Sequence, residues 1–320
     1  MYEELFTKPN VNLVGYGYRI SRGERVGEGV VVGVRKKMPL AALAEKDVIP
    51  QFVYGLRTDV FEVGEIMALK ARTEKWRPAP GGVSIGHYKI TAGTLGTAVK
   101  DLQTNDYMIL SNNHVLANSN DAELGDPILQ PGPIDGGKQP DDVIGYLARY
   151  IPIQFLTDSP TCPVSQSYAR FGNLLSRLLR SSHKFQTIKI NEEAENKVDA
   201  AVCNVKDTND ISFNIIDIGA PYGIKEVALG YKIKKSGRTT ETTEGQVIIV
   251  DATVNVNYGG SKYAKFVNQI VGGPMSSGGD SGSLGVTEDG FAFGLLFAGS
   301  DQVTIFNPIK EVVELLKIKF

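Results

Sequence analysis

Cysteine, histidine and long apolar runs are scarce in this chain of 320 residues. The two cysteines, Cys162 and Cys203, are too few for a disulfide framework, although a single bridge between them stays open. Such scarcity favours a reducing compartment, and the first residues lack the basic start and apolar run of a signal peptide. We therefore expect a cytoplasmic protein. No apolar segment approaches the roughly 18 residues that cross a bilayer as a helix.

An excess of one charge is also missing. Lysine and arginine number 34 against 36 acidic residues, for a formal net charge of −2, and the basic residues are spread along the chain. This balance predicts neither a nucleic-acid nor a membrane partner. The three histidines are scattered and no Cys-x-x-Cys occurs, so we expect no metal site and no cofactor.

Residues 1–78 differ in pattern from the rest of the chain. Glycine-rich strand patterns, a short helical stretch in PLAALAEKDVI and another strand pattern lead to a linker rich in proline and glycine around Pro78 and Pro80. This predicts a small α+β accessory domain. A regulatory domain that gates the rest and a merely stabilising layer are equally open interpretations.

Residues 79–320 contain many short apolar strands separated by turns, which indicates a β-sandwich or barrel. A closing helix is predicted after Asn307, with Asn307 as its cap and Pro308 in its first turn. An inserted segment, around 118–196, contains a predicted amphipathic helix over 162–182. We expect its apolar face to pack on the β body, with a contact surface for a partner or second subunit as the alternative. That face carries Leu174, Leu175, Leu178 and Leu179.

One short stretch, SSGGDSGSLG from Ser276 to Gly285, places Ser281 between glycines. A serine hydroxyl becomes a nucleophile only beside a base that a third group orients. His114 follows an apolar strand in MILSNNHVLAN, and Asp199 precedes another in NKVDAAVCNV, where a poorly solvated carboxylate would need a partner such as an imidazole N–H. Each segment alone has a structural interpretation: a packed histidine, a strand-edge aspartate or a glycine turn.

Together the segments SNNHV, KVDAAV and SGGDSGSL, in the order His, Asp, Ser, resemble the catalytic segments of chymotrypsin-like (trypsin-fold) serine proteases. KSGRTTETTEGQV, from Lys235 to Val247, is similar to a strand-turn of bacterial members, and QPGPIDGG with the low cysteine content resembles intracellular ones. The resemblance implies a mainly β double barrel with a C-terminal helix. It also implies that His114, Asp199 and Ser281 are catalytic, and that the backbone N–H groups of Gly279 and Ser281 form the oxyanion hole.

The resemblance further implies that Asp280 is buried and needs a cationic partner. Members activated by cleavage use a new N-terminus, and no matching Ile-Val-Gly-Gly start is present here. We expect Arg238 to pair with Asp280 in a charge-assisted bond, which would make the enzyme competent without cleavage.

The expected substrate-binding residues lie on two segments near Ser281. Met275 occupies the position six residues before the serine, where enzymes specific for lysine or arginine carry an acid, so basic specificity is not expected. The next residue, Ser276, is expected to bind the substrate beside Met275. The segment that would pair with the substrate backbone by strand addition comprises Phe297, Ala298 and Gly299.

The sequence thus predicts a serine endopeptidase that hydrolyses peptide bonds through an acyl-enzyme. The order of the three segments excludes an α/β-hydrolase elbow, which places its histidine downstream of the serine. The alternative is a catalytically silent protease-fold module that binds or scaffolds. Expected partners are a protein or peptide substrate, with residues 1–78 or the 162–182 helix as surfaces for a second copy or a regulator.

Overall fold

A computed structural model of the chain describes residues 2–66, 70–158, 162–187, 189–191, 193–260 and 262–320. The chain divides into two compact units, Met1–Lys70 and Ala71–Phe320. Within the described ranges, no helix combines the length and the apolar character needed to cross a membrane.

The first unit is a four-stranded sheet with one short helix. Its elements are α1 (Glu3–Phe6), β1 (Val11–Ser21), β2 (Glu24–Val34), β3 (Phe52–Val53) and β4 (Leu56–Glu62), and the strand order is β1-β2-β4-β3. Alternate residues of β2 point to one face, so Val30, Val32 and Val34 form its core together with Leu5 and Val11. The helix predicted in PLAALAEKDVI is instead two 3₁₀ turns, because the backbone between them is extended.

The boundary between the units lies eight residues before the one predicted at residue 78. The Arg72 side chain is buried and donates hydrogen bonds to Asp217 at 2.9 Å and Thr242 at 3.0 Å. The Trp76 N–H donates to the side-chain oxygen of Gln130 at 2.8 Å. These contacts join residues 71–78, which the sequence analysis assigned to the first domain, to residues of the second unit.

The second unit is built mainly of strands. Its strands are β5 (Ala79–Gly81), β6 (Ser84–His87), β7 (Gly93–Thr94), β8 (Thr97–Asp101), β9 (Tyr107–Ser111), β10 (Pro127–Leu129), β11 (Val143–Tyr150), β12 (Thr157–Asp158), β13 (Lys189–Ile190), β14 (Ala201–Val205), β15 (Ile211–Ile215), β16 (Lys232–Gly237), β17 (Glu241–Asn257), β18 (Tyr263–Gly272), β19 (Leu284–Thr287), β20 (Ala292–Gly299), β21 (Thr304–Pro308) and β22 (Ile318–Lys319). Its helices are α2 (Asn113–Leu116), α3 (Pro163–Leu178) and α4 (Ile309–Leu316).

These strands form two eight-stranded sheets and one parallel pair, β5 with β15. One large sheet has the order β22-β8-β9-β14-β11-β10-β6-β7. In the other, β18, β17, β16, β19, β20 and β21 close into a ring through the pairing of β18 with β21, and β12 and β13 extend it. A curled sheet beside a closed ring, followed by a C-terminal helix, confirms the predicted mainly β, chymotrypsin-like architecture.

Helix α4 closes the space between the two sheets. Its buried residues Ile309, Val312 and Leu316 pack with Leu284 and Leu295 from the ring. The helix begins at Ile309, and Pro308 takes the cap position. The cap predicted at Asn307 is wrong, because the Asn307 side chain is buried in a hydrogen-bond network described below.

Helix α3 is present where the sequence predicted it, but its apolar face does not pack on the β body. Leu174, Leu175, Leu178 and Leu179 are all exposed. The covered side of the helix carries small and polar residues, of which Ser176 is buried. Periodicity identified the helix correctly and its packing wrongly, because periodicity contains no information about which surface lies opposite.

Candidate active site

Strand pairing brings His114 and Asp199 together. Ala201 at the start of β14 pairs with Ser111 at the end of the antiparallel β9, so residues just after β9 meet residues just before β14. The His114 Nδ1 lies 2.6 Å from Oδ2 of Asp199. The His114 backbone N–H also donates to Oδ1 of Asp199 at 3.2 Å. Because the carboxylate accepts from Nδ1–H, the ring's Nε2 retains its lone pair.

The Asp199 carboxylate is fully buried and has a further donor that the sequence analysis did not identify. The Tyr258 hydroxyl donates to Oδ2 of Asp199 at 2.7 Å. The Tyr258 ring lies edge-on to the His114 ring, with centroids 5.8 Å apart. Burial raises the pKa of Tyr258 well above its ordinary value, and the negative charge of Asp199 adds to this effect. Tyr258 therefore stays protonated and is a permanent donor to the acid.

Two buried amides fix the backbone of Asp199. The Asn112 side chain donates to the Asp199 carbonyl at 2.7 Å, and the Asp199 N–H donates to the Asn307 side chain at 3.0 Å. The Asn307 amide donates in turn to Gln269 at 2.7 Å. These buried hydrogen bonds restrict movement of the Asp199 backbone. The acid is therefore fixed through both its side chain and its main chain.

Ser281 lies in the loop between β18 and β19. Two hydrogen bonds with Thr94 hold this loop against the first sheet, and a third joins it to β20 of the ring. The Thr94 N–H donates to the Ser281 carbonyl at 2.7 Å. The Thr94 hydroxyl donates to the Gly279 carbonyl at 2.8 Å. The Gly282 N–H donates to the Leu296 carbonyl at 2.8 Å. Thr94 thus connects the serine loop to the sheet that positions the histidine and the aspartate.

The loop orients its carbonyls into the protein. The Gly278 carbonyl accepts from the Thr239 hydroxyl at 2.8 Å, and the Asp280 carbonyl accepts from the Ser283 hydroxyl at 2.6 Å. By contrast, the N–H groups of Gly279 and Ser281 have no acceptor within the described part of the chain. Gly279 has a φ of +96°, a conformation that favours glycine. Two free, oriented N–H groups can stabilise a developing oxyanion.

Asp280 is buried directly behind the serine, and its cationic partner is Lys235. The Lys235 Nζ lies 3.3 Å from Oδ2 of Asp280, and both side chains are fully buried. The same carboxylate accepts from the Thr240 hydroxyl at 2.6 Å and from the N–H groups of Thr239 at 2.8 Å and Ser277 at 3.0 Å. Burial opposes ionisation, but these hydrogen bonds and the Lys235 charge outweigh it and hold the pKa of Asp280 below its ordinary value.

The expected pairing of Arg238 with Asp280 is wrong. Arg238 instead forms a two-point ion pair with Asp135, through its Nε and Nη2. Lys235 shares an inward-facing position of β16 with buried Ile233, because alternate residues of a strand point to one face. Arg238 follows the end of that strand, so its side chain reaches Asp135 and not the buried acid.

Of the expected substrate-binding residues, Met275 and Ser276 contact the interior of the ring. The Met275 side chain is 4% exposed and belongs to a core cluster with Ile233 and Phe306. The Ser276 hydroxyl lies 2.8 Å from the Thr304 hydroxyl. Met275 therefore has almost no open surface of its own in this structure.

The other expected substrate-binding residues end strand β20. Gly299 pairs with Thr304 of β21 on one side. Pairing with β19 on the other side extends only to Leu295, so the backbone edge of residues 297–299 is free of strand partners in the described chain. Phe297 is buried, and its carbonyl accepts from the Ser281 hydroxyl at 3.5 Å. No hydrogen bond joins Ser281 to His114 within the described residues.

Several residues of this site have no signal in the sequence analysis. Tyr258, Lys235 and Thr94 occur in ordinary strand patterns far from their partners. For Lys235 alone a signal was available: it lies two residues after the apolar Ile233 in a strand pattern, which predicts that its side chain points to the same buried face. In the ranges that the structure describes, no group of three or more His, Cys, Asp or Glu side chains is arranged to hold a metal ion.

Three solved structures of proteases are similar to this chain. A Nocardiopsis protease (NAPase) has 12% sequence identity and a TM-score of 0.48, with 75% of this chain and 97% of that one covered. Thermobifida fusca protease A has 14% identity and a TM-score of 0.47, with 75% and 96% covered. Cellulomonas bogoriensis chymotrypsin has 13% identity and a TM-score of 0.46, with 75% and 97% covered. No protein-family model and no curated protein matches the chain in sequence.

Proposed function

We propose that this chain is a serine endopeptidase with His114, Asp199 and Ser281 as its catalytic residues. The observation that carries the proposal is the pairing of a partly exposed imidazole with a fully buried carboxylate, 2.6 Å apart, next to a loop with two free N–H groups. Each part alone has a structural explanation. Their combination is what nucleophilic catalysis by serine requires.

In the proposed mechanism, the Ser281 hydroxyl attacks the carbonyl carbon of a peptide bond while His114 Nε2 accepts its proton. Asp199 stabilises the imidazolium, and the N–H groups of Gly279 and Ser281 donate to the oxyanion. His114 then protonates the leaving amine, and an acyl-enzyme remains. Water hydrolyses the acyl-enzyme by the same route and regenerates the serine. The Ser281 hydroxyl must leave the Phe297 carbonyl for this reaction, a rotation about one side-chain bond.

We further propose that the enzyme is active without proteolytic processing. A cation supplied by Lys235, within the chain, already neutralises the buried Asp280 behind the oxyanion loop. Removing that cation would leave a buried charge unpaired, which costs about 3–5 kcal/mol and would displace the loop.

The variant Lys235→Met tests this second proposal, with Lys234→Met as its control, since Lys234 lies on the opposite face of β16 and is half-buried. We expect unprocessed wild type and Lys234→Met to react with a fluorophosphonate equally fast. Lys235→Met should react at least about 100-fold more slowly per folded molecule. Equal rates for the two variants would contradict the proposal.

For the substrate, we propose uncharged side chains next to the cleaved bond. Met275 stands at the position where enzymes specific for lysine or arginine carry an acid, so a buried cationic side chain of the substrate would have no carboxylate at this position. The free backbone edge of 297–299 would pair with the substrate by strand addition. Peptides that differ only at this residue test the specificity, and faster cleavage after lysine or arginine than after alanine, valine or leucine would overturn it.

Fluorophosphonate labelling of the full chain tests the main proposal. Mass-spectrometric mapping should place the label on Ser281 and nowhere else. Labelling should disappear in Ser281→Ala and fall by at least about 10³-fold in His114→Ala. Labelled protein should be inactive toward peptides that the unlabelled protein cleaves. A folded sample without labelling would contradict the proposal.

One observation favours the alternative, a catalytically silent module that binds proteins through this fold. The Ser281 hydroxyl donates to the Phe297 carbonyl and not to His114. Binding of an extended peptide along 297–299 without cleavage would then be the function. Peptide binding by wild type, unaffected by Ser281→Ala and accompanied by no labelling, would support this alternative.

A further inference from the structure

Helix α3 has its apolar side facing outward. Five of its large apolar residues are spaced at i, i+4, i+7, i+11 and i+14, and two more lie beside them. With about 100° of rotation per residue, all seven fall within an arc of about 140°. Each is between 42% and 78% exposed. They are Val164, Tyr168, Phe171, Leu174, Leu175, Leu178 and Leu179.

The opposite side of the helix is the covered side. Asn173 is hydrogen-bonded to both backbone groups of Phe185, at 2.8 and 2.9 Å, and Ser176 is buried. The Phe185 ring lies beside Gly172, where a Cβ would be 3.0 Å from it. Residues 181–187 therefore return along the small side of α3. This arrangement orients the apolar face away from its own chain.

The charges around this face all have one sign. Residues 162–187 contain Arg170, Arg177, Arg180 and Lys184 and no acidic residue. Removing these four positive charges from the net −2 of the whole chain leaves −6 on the remaining residues. Arg170 and Arg177 are seven residues apart and border the apolar arc next to Leu174. Their aliphatic stems can lie along apolar surface while the guanidinium groups reach polar surroundings.

We propose that α3, with the 181–187 segment behind it, binds the surface of an anionic lipid bilayer. An outward apolar arc rimmed by arginines is the pattern of helices that lie in the interface plane of a membrane. Anionic headgroups complement the two arginines at this border, and Arg180 and Lys184 add positive charge to a segment that contains no acidic residue. The proposal is independent of the catalytic activity. It replaces the expectation of no membrane partner, which rested on charge averaged over the whole chain.

Two other occupants, a groove on a partner protein and a second copy of the helix, fit this surface less well. A groove on a partner protein binds a narrow stripe of apolar side chains at i, i+4 and i+7. The apolar arc of α3 is wider than such a stripe, because further leucines lie on both sides of it. In an antiparallel pairing with a second copy of the helix, the edge that carries Arg170 and Arg177 would face the same edge of the other copy, and like charges repel. A bilayer covers the whole arc and attracts the rim.

The chain provides a native position for a reporter of membrane binding. Cys162 is exposed at the start of α3, and Cys203 is buried, which raises the pKa of its thiol to about 12. A polarity-sensitive fluorophore can therefore be attached to Cys162 alone. We would titrate the labelled full chain with vesicles of phosphatidylcholine, with and without phosphatidylglycerol. Binding should be at least about 100-fold tighter to the anionic vesicles and should weaken as salt is added.

Two variants of equal net charge isolate the apolar face. Phe171→Asp places a charge in the arc, and Gln166→Asp places the same charge outside it. Vesicle binding should fall at least tenfold further in the first than in the second, at unchanged circular dichroism and thermal midpoint. Equal binding by both variants would overturn the proposal, and so would equally weak binding of wild type to both kinds of vesicle.

Discussion

Two histidine–aspartate pairs lie beside strands of the same large sheet, and they are arranged in opposite ways. In the pair His114–Asp199 the acid is completely buried and the imidazole is 21% exposed. In the pair His87–Asp126 the imidazole is completely buried and the acid is 20% exposed. The His87 Nε2 lies 2.9 Å from Oδ2 of Asp126.

The two rings also use opposite nitrogens. His114 presents Nδ1 to its acid and keeps the Nε2 lone pair at the exposed side. His87 presents Nε2 to its acid, and its Nδ1 accepts from the Lys89 N–H at 3.2 Å, so both nitrogens are used internally. A histidine beside an aspartate is therefore no evidence of catalysis by itself. The difference lies in which partner is buried and whether one nitrogen of the ring stays available.

Removing each histidine should separate the two pairs most strongly. We expect His114→Ala to lower kcat by roughly 10⁴–10⁶-fold. It should cost about 1 kcal/mol of stability, since the buried Asp199 loses one donor but keeps the Tyr258 hydroxyl and the backbone N–H of residue 114. His87→Ala should keep kcat within about threefold but cost roughly 2 kcal/mol, because it leaves buried polar groups unpaired. Peptide hydrolysis and chemical unfolding of both variants provide the two measurements. Comparable losses of kcat would show that His87 belongs to the site.

Substitution of the two acids should give the next largest difference in kcat between the pairs. Asp199→Asn removes the acceptor that fixes the Nδ1–H form of His114, and we expect kcat to fall by about 10⁴-fold. Asp126→Asn should leave kcat within about twofold, because His87 has no role in the reaction. A rate for Asp199→Asn within tenfold of wild type would contradict the role given to the buried acid.

The contrast between the pairs also shows how far the sequence could lead. The segments around His114, Asp199 and Ser281 lie near strand ends, and their resemblance to the catalytic segments of chymotrypsin-like serine proteases predicted that they meet. The strands themselves followed from alternation and turns. Which cation neutralises Asp280 depends on side-chain direction, and the sequence predicted Arg238 only through its place in the strand-turn that is similar to bacterial members.

Other parts of the site had no signal in the sequence at all. Tyr258 reaches Asp199 across 59 positions of the chain, and its direction follows from the packing of β17 and β18. Asn307 was predicted to cap α4, since asparagine before a proline favours a helix start, yet its side chain is used by the Asp199 backbone. Buried hydrogen bonds between distant residues depend on the assembled tertiary structure, which local patterns do not encode.

Tyr258→Phe tests a difference between the two acids, and we expect its effect on kcat to be smaller than that of Asp199→Asn. Asp126 receives a hydrogen bond from the Glu123 N–H but none from a tyrosine, whereas Asp199 has the Tyr258 hydroxyl. Loss of this donor, bound to a charged acceptor, should lower kcat about tenfold and leave KM within twofold. Tyr263→Phe is the control, since its exposed hydroxyl contacts only Asn257 among the described residues. Equal kinetics for the two variants would show that the Tyr258 bond does not position the acid.

The smallest effect concerns the stability of the second pair in acid. Burial opposes ionisation of Asp126, but hydrogen bonds from the Glu123 N–H and His87 outweigh it and lower its pKa. The unfolded chain then binds a proton at higher pH than the folded one. The resulting stabilisation is fully present above about pH 4, the ordinary aspartate range, and is lost as the pH falls through the lower folded pKa.

Asp126→Asn removes this contribution, so its free energy of unfolding should decline less than that of wild type between neutral pH and about pH 3. The difference should be about 1 kcal/mol, because the acid is partly exposed. Asp141→Asn, an exposed aspartate, serves as the control and should decline as wild type does. If the free energy of unfolding of Asp126→Asn declines as much as that of wild type, the partly exposed Asp126 contributes no pH-dependent stability. The two acids would then differ more in their interaction with histidine than their geometry indicates.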